Sequence, residues 1–158
     1  MNLKNRTEIY LHKQHLKNQS HHWEHTFSGR PEMFGDSPSF AAIKAVEIFR
    51  KAGLVNILEL GCGQGRDTLF FARSGLYVQA LDYSQSGVDS AIKKAKTLGL
   101  SQNITAKVHD VRKPLPFKEE SFDACFSHML YCMAFTNSDL ENLNNEICRI
   151  LKPNGINI

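Results

Sequence analysis

The chain has 158 residues and a formal net charge of +3, with 19 basic and 16 acidic side chains and a pI near 8.7. A chain of this length can bury one sizeable hydrophobic core, so we expect one main domain. The pI falls short of the usual nucleic-acid-binding signature, no apolar run approaches the roughly 20 residues of a membrane span, and no signal-peptide pattern opens the sequence. These features argue against a nucleic-acid or membrane partner.

The cysteines show neither a C-x-x-C pair nor a zinc-ligand spacing, and we predict no metal site. We predict a cytoplasmic location, where cysteine thiols stay reduced. We favour structural, core-packed cysteines over thiol-assisted chemistry near the site, because free cysteine is commonly a small core residue. The four are Cys62, Cys125, Cys132 and Cys148.

The N-terminal segment, residues 1–37, is predicted to be distinct from the main domain, residues 38–158. An amphipathic helix is expected over residues 4–18. Residues 20–37 are rich in Ser, Gly and Pro and are predicted to be an irregular lid segment. Its expected anchors are Trp23, Phe27 and Phe34.

The first 30 residues also hold five of the seven histidines and a surplus of three basic side chains. Metal binding through His21, His22 and His25, or contact of a basic arm with nucleic acid, are two possible interpretations. A solvated helix with a loose connection is the interpretation that we favour.

Strands and helices alternate from Ser39 onward. Because such alternation implies right-handed crossovers, we predict a Rossmann-like doubly wound, mostly parallel sheet in a three-layer α/β/α arrangement. The predicted helices are 39–52, 66–74, 85–98 and 138–151, and the predicted strands are 54–60, 76–81, 104–109, 122–127 and 156–158.

A glycine-rich loop follows the first predicted strand. That strand ends in Glu59 and leads directly into Gly61, Gly63 and Gly65, which let the backbone turn sharply and approach a ligand closely. Asp82 closes the next strand, so its carboxylate should reach the same sheet edge and bind a ribose diol. This combination predicts a nucleoside-bearing cofactor across the carboxyl ends of the strands.

The details of the loop favour S-adenosylmethionine over NAD. The dinucleotide fingerprint G-x-G-x-x-G requires a third glycine where this chain has Arg66, and the third glycine here comes one residue early. Glu59 would repel a pyrophosphate but suits an ammonium group, while Arg66 suits a carboxylate. NAD binding remains the weaker alternative.

These residues also resemble a known family. Glu59-Leu-Gly-Cys-Gly-Gln-Gly65 is similar to motif I of the class I S-adenosylmethionine-dependent methyltransferases. Leu81-Asp-Tyr-Ser84, His109-Asp-Val111 and Leu151-Lys-Pro-Asn-Gly155 follow in the family's order. Within the family, Phe34-Gly-Asp-Ser-Pro38 and the loop look most like small-molecule methyltransferases of the methyltransferase-11/25 and tellurite-resistance type.

The resemblance implies roles for individual residues. The glycine loop with Glu59 and Arg66 would hold the methionine part, Asp82 would accept the ribose hydroxyls, and Tyr83 would pack on the adenine. Asp110 would take the adenine amino group, and the Val111 amide a ring nitrogen. The expected cofactor contacts are Glu59, Gly61, Cys62, Gly63, Arg66, Asp82, Tyr83, Asp110, Val111 and Ser127.

The expected reaction is in-line displacement of the methyl group by a small-molecule nucleophile, with S-adenosylhomocysteine as product. His128 and Tyr131 follow the fourth strand, where the family usually brings acceptor and cofactor together. His128 is a candidate general base, equally interpretable as a hydrogen-bonded loop histidine, and Tyr131 a candidate lid. Trp23 and Phe27 are candidates to close over the site, although ordinary packing of a long loop is the favoured interpretation.

The fifth predicted strand has three residues before the sequence stops, whereas the family continues with a helix and two further strands. We therefore expect a domain that lacks the usual last two strands. An unfinished apolar edge could pair with a second copy, which predicts a homodimer. The alternative to an active enzyme is a cofactor-binding, catalytically impaired module that depends on a partner subunit.

Overall fold

The computed structural model describes residues 19–158. Its helices are α1 (residues 19–29 of the described chain), α2 (Phe40–Lys51), α3 (Arg66–Arg73), α4 (Gln85–Thr97) and α5 (Asn137–Ile150). Its strands are β1 (Asn56–Leu60), β2 (Tyr77–Asp82), β3 (Ile104–Val108), β4 (Phe122–Ser127) and β5 (Leu151–Asn157). The helix predicted over residues 4–18 lies outside the described residues.

The five strands form one parallel sheet in the order β3-β2-β1-β4-β5. The order reverses at β1, so the loops that follow β1, β2 and β4 meet at one edge of the sheet. In open α/β sheets this switch point is where ligands bind. The α/β prediction is confirmed.

The side chains of β1 divide the core into two layers. Ile57 packs with residues of α2 and α3, whereas Leu58 and Leu60 pack with residues of α5. Neighbouring side chains of a strand point to opposite faces of the sheet, so helices cover both faces. The result is the predicted three-layer arrangement, with both β1 faces fully buried.

The start of β1 is two residues later than predicted because the chain first has to leave α2. Gly53 has a φ of 68°, and the Leu54 N–H donates to the Phe49 carbonyl at 2.9 Å, which closes the helix end. The N–H groups of Val55 and Asn56 both donate to the side-chain carboxylate of Asp123 on the neighbouring strand β4.

The prediction that residues 20–37 are irregular is wrong for their first half, because residues 19–29 are helical. Gly and Pro are concentrated after residue 28, where the helix ends. Before that point Trp23 and Phe27, four residues apart, share one face of α1 and stack with Phe34. The helix thus brings these aromatic side chains together on one face.

The end of the sheet also differs from the prediction. Leu151 already pairs with Phe122, and regular pairing resumes at Ile156. The motif Leu151–Gly155, which precedes the strand predicted over 156–158, is therefore an irregular part of β5, with Asn154 at a φ of 65°. Within the described chain β5 pairs with β4 alone, and no helix of residues 19–158 is long and apolar enough to cross a membrane.

Candidate active site

A cleft lies at the carboxyl ends of the strands and is partly open to solvent, so its volume of about 930 Å³ includes solvent space at its mouth. The glycine loop, the ends of β2 and β3, the loop after β4 and the lid formed by α1 and residues 30–35 surround it. Nine of the twelve predicted cofactor-binding and catalytic residues line the cleft, as do the lid candidates Trp23 and Phe27; the nine are Glu59, Gly61, Cys62, Gly63, Arg66, Asp82, Tyr83, Val111 and His128. Asp110, Ser127 and Tyr131 are not among its lining residues.

The glycine loop is tightly packed on both sides. Gly63 and Gly65 have φ angles of 51° and 85°, in the left-handed region that favours glycine. A Cβ on Gly63 would lie 3.2 Å from the Phe27 ring, and one on Gly65 would lie 2.7 Å from the Ala91 Cβ. Any side chain at these positions would therefore disturb either the lid or the contact with α4.

Glu59 is a buried carboxyl at the end of β1. It is 4% exposed, and the Thr68 hydroxyl donates to it at 2.5 Å. Burial raises the pKa of Glu59 to about 8; the bond from Thr68 opposes the shift, and the charges of Asp67 and Asp82 add to it. A cationic ligand group next to Glu59 would reverse this effect by favouring the carboxylate.

Asp82 links the second strand to the glycine loop. One carboxylate oxygen accepts from the Gly63 N–H at 2.8 Å, and the other accepts from the Ser84 N–H at 2.8 Å. Burial raises the pKa of Asp82, and these two bonds partly offset the shift. Each oxygen has a second lone pair, so the carboxylate can still accept a hydroxyl from a ligand.

Arg66, Asp67 and His128 form a cluster at the other end of the cleft. Asp67 accepts from the N–H and the hydroxyl of Ser39 at 2.7 and 2.8 Å, and Arg66 Nε contacts it at 3.3 Å. Arg66 Nη2 lies 3.2 Å from His128 Nδ1. A guanidinium can only donate, so Nδ1 accepts and a neutral His128 carries its proton on Nε2. In this arrangement Nε2 is a donor and not a base.

The two carboxylate oxygens of Asp110 are both occupied by Arg112, at 2.8 and 2.7 Å. Burial alone would raise the pKa of Asp110, but its bonds to Arg112 lower it below the ordinary value. His109, the preceding residue, lines the cleft, and its Nε2 is buried without a hydrogen-bond partner. The sequence did not single out this histidine side chain, although it lies inside the recognised motif.

The other two predicted residues outside the cleft lining lie near β5. The Ser127 N–H donates at 2.8 Å to the carbonyl of Ile158, the residue after β5. Tyr131 is 45% exposed; burial raises the pKa of its hydroxyl, and Asn157 of β5 opposes this shift. The predicted roles of Ser127 and Tyr131 therefore stay predictions without a cleft contact to support them.

Two residues that the sequence did not indicate hold the lid down. The Glu24 carboxylate of α1 accepts from the hydroxyls of Ser84 and Ser86 at 2.6 and 2.5 Å, at the start of α4. Gln64 of the glycine loop donates to the Arg30 carbonyl at 2.8 Å and accepts from the Met33 N–H at 3.0 Å. The partners of Glu24 are about 60 residues away, so no local pattern could reveal it.

Comparison with known proteins agrees with this geometry. Residues 57–155 match the methyltransferase domain family. Phosphoethanolamine N-methyltransferase 1 of Triticum aestivum is 34% identical over 129 residues, which are 80% of this chain and 22% of that protein. Demethylmenaquinone methyltransferase of Tropheryma whipplei is 32% identical over 102 residues, which are 63% of this chain and 38% of that protein.

The fold is also found among solved structures. Geranyl diphosphate C-methyltransferase of Streptomyces coelicolor, solved with Mg²⁺, geranyl diphosphate and S-adenosyl-L-homocysteine, superposes with a TM-score of 0.60 over 72% of this chain and 42% of that chain. At 20% identity this likeness concerns the fold alone. The present chain thus spans less than half the length of each of these three proteins. The matches confirm the resemblance that the motifs predicted and support S-adenosylmethionine as the cofactor.

Proposed function

Because the chain belongs to the methyltransferase domain family, we propose that it binds S-adenosylmethionine and transfers the methyl group to a small-molecule nucleophile by in-line displacement. The observation that carries the proposal is the pair of buried acids, Glu59 and Asp82, beside a glycine loop that leaves no room for a side chain. When bound, this cofactor supplies a methyl group on a positively charged sulfur that leaves as a neutral thioether.

The residues at the cleft fit such a cofactor chemically. The pKa of Glu59, about 8, leaves this carboxyl mostly protonated at neutral pH. An ammonium group next to it would lower that pKa and favour the carboxylate. Asp82 keeps free lone pairs for ribose hydroxyls, and Tyr83 and Val111 supply apolar surface for the base. The unpartnered Nε2 of His109 is a polar atom that a ligand would satisfy.

His128 can serve as a general base only after Arg66 releases its Nδ1. Asp67 Oδ2 lies 3.8 Å from that nitrogen. If Arg66 turns toward a ligand carboxylate, Nδ1 can carry the proton and face Asp67, and the Nε2 lone pair then becomes available to an acceptor. We propose that His128 removes the proton when the nucleophile has to lose one.

A small-molecule acceptor is supported by the relatives from wheat and Tropheryma, whose names specify phosphoethanolamine and demethylmenaquinone. The aromatic lid formed by Trp23, Phe27 and Phe34 closes over the cleft and would exclude water from the reacting groups. We also propose a cytoplasmic setting, in line with four free cysteines in the described chain.

The outer edge of β5, which pairs with no further strand of residues 19–158, supports a second proposal, that two copies of the chain pair through it. Ile156 and Ile158 lie at this edge, are partly buried and pack against the core. Light scattering over a range of concentrations tests this pairing. A monomer at every concentration would contradict it.

The function is tested first by calorimetric titration with S-adenosylhomocysteine. We expect saturable binding by the native chain and its loss in Asp82→Ala, with Asp89→Ala on the exposed side of α4 as the matched control. A folded chain without binding would refute the proposal. Binding should be followed by assays of product formation with small amines, thiols and quinols. Binding without any product would favour the alternative of a cofactor-binding module that depends on a partner.

A further inference from the structure

Two large apolar side chains that line the cleft are exposed to solvent. Met129, in the loop after β4, is 50% exposed, and Phe34 of the lid is 36% exposed. Met129 also has a φ of 60°, in the left-handed region that is costly for a residue with a side chain. Such backbone strain is concentrated at functional sites, so we expect the Met129 side chain to contact a ligand.

Phe34 and Met129 lie on either side of the Arg66–His128 contact. The guanidinium carbon of Arg66 is 5.5 Å from the centre of the Phe34 ring. Nη2 of the same guanidinium is 3.2 Å from Nδ1 of His128, the residue before Met129. Trp23 extends the lid wall, with its ring centre 6.1 Å from that of Phe34. Apolar surface from the lid and from the loop after β4 therefore adjoins the candidate base.

The two cationic side chains of the cleft already face carboxylates. Among residues 19–158, the Arg and Lys residues that line the cleft are Arg66 and Lys94. Arg66 contacts the buried Asp67 at 3.3 Å. The Lys94 ammonium lies 3.9 Å from Glu32 and 3.8 Å from Asp36. A phosphate is usually bound by Arg or Lys side chains that have no competing carboxylate, so this charge distribution disfavours a phosphorylated acceptor.

We propose that the acceptor is an uncharged aromatic hydroxy compound whose ring lies between Phe34 and Met129. The inference rests on the proposed function, because it names the class of acceptor for that reaction. Met129 is thereby a specificity residue, since its polarizable thioether packs favourably against an aromatic ring. Phe34 supplies a second aromatic contact from the lid.

The experiment changes the charge of the ligand while its ring stays the same. The native chain, saturated with S-adenosylhomocysteine, is titrated calorimetrically at about pH 7 with 2-naphthol, 2-naphthyl phosphate and phosphoethanolamine. We expect 2-naphthol to bind at least about tenfold more tightly than either phosphate compound. Its ring buries apolar surface without bringing a charge beside the carboxylates of the cleft.

Variants of Met129 test the position of the ring. Met129→Ser should weaken 2-naphthol binding about three- to tenfold, because it removes apolar contact, whereas Met129→Leu should retain most of the affinity. The matched control is Tyr77→Ser, which changes a similarly exposed side chain, 56% exposed, at the amino end of β2. This control should bind 2-naphthol like the native chain. Thermal unfolding checks that all three variants are folded.

Three results would overturn the inference while S-adenosylhomocysteine binding leaves the proposed function standing. They are the absence of 2-naphthol binding, binding of either phosphate compound as tightly as 2-naphthol, and unchanged 2-naphthol affinity in Met129→Ser. If the folded native chain does not bind S-adenosylhomocysteine at all, the proposed function fails and the inference fails with it.

Discussion

The strongest prediction concerns the proton on Glu59. Its pKa is raised from 4.5 to about 8, which corresponds to about 5 kcal/mol that opposes ionisation in the folded chain. Between these two values the folded state binds more protons than the unfolded state, so the free energy of unfolding should fall as the pH rises toward 8. Glu59→Gln removes the titrating group while keeping an oxygen for the Thr68 hydroxyl, and its stability should depend less on pH.

Ligand binding should release this proton. An ammonium group beside Glu59 favours the carboxylate, so the affinity for S-adenosylhomocysteine should rise with pH, by at most about tenfold per unit below pH 8. Calorimetry at about pH 6.5, in two buffers with different ionisation enthalpies, measures the protons released. We expect the native chain to release close to one proton per ligand bound, and Glu59→Gln to release none from this position.

The matched control is Glu47→Gln, which changes an exposed acid that is paired with Lys44 on α2. This variant should behave like the native chain in both measurements. If native binding releases no proton, or if Glu59→Gln releases as much as the native chain, then Glu59 does not face the ammonium group and the electrostatic argument for the cofactor is wrong.

Three further predictions follow from the loop, the lid and the histidine. Gly65→Ala should lower the free energy of unfolding by about 2–4 kcal/mol in denaturant titrations, because the new Cβ clashes with Ala91 and the left-handed backbone is strained for alanine. Gly99→Ala, with a φ of 70° and open space around it, should lower the free energy of unfolding less, because only the backbone strain applies there. Glu24→Gln should weaken the lid and speed S-adenosylhomocysteine dissociation about two- to fivefold in stopped-flow experiments, and an unchanged rate would contradict the lid role. Arg66→Ala should free Nδ1 of His128, which ¹⁵N NMR would detect as a changed tautomer; an unchanged spectrum would show that the guanidinium does not set the proton position.

The parts of the fold that depend on local signals could be predicted from the sequence. The bounds of β4 agree with the prediction at both ends, and α3 and α4 begin at Arg66 and Gln85, as predicted. Glycine punctuation and strand–helix alternation determine these elements over a few residues. The predicted parallel pairing of the strands follows from the alternation of strands and helices.

The parts that depend on distant partners could not be predicted. The helical conformation of α1 accompanies the packing of Trp23 and Phe27 over the cleft and the bonds of Glu24 to α4, none of which has a local pattern. In the site, the sequence predicted that Glu59, Asp82 and the glycine loop lie at one edge of the sheet, and all three line the cleft. A local pairing was also not predicted: Arg112 donates to both carboxylate oxygens of Asp110, although the sequence of residues 110–112 is equally compatible with an unpaired acid.

The two buried acids also connect stability with function. Asp82 accepts hydrogen bonds from two backbone N–H groups, whereas Glu59 accepts one from a hydroxyl, so Glu59 is the less compensated of the two carboxyls. Burying such a charge without a partner is costly, and a ligand with an ammonium group supplies the partner. A ligand that binds only the folded chain stabilises it in proportion to its affinity. The increase in unfolding temperature caused by S-adenosylhomocysteine should therefore be larger near pH 7.5 than near pH 6, and Glu59→Gln should remove most of that difference.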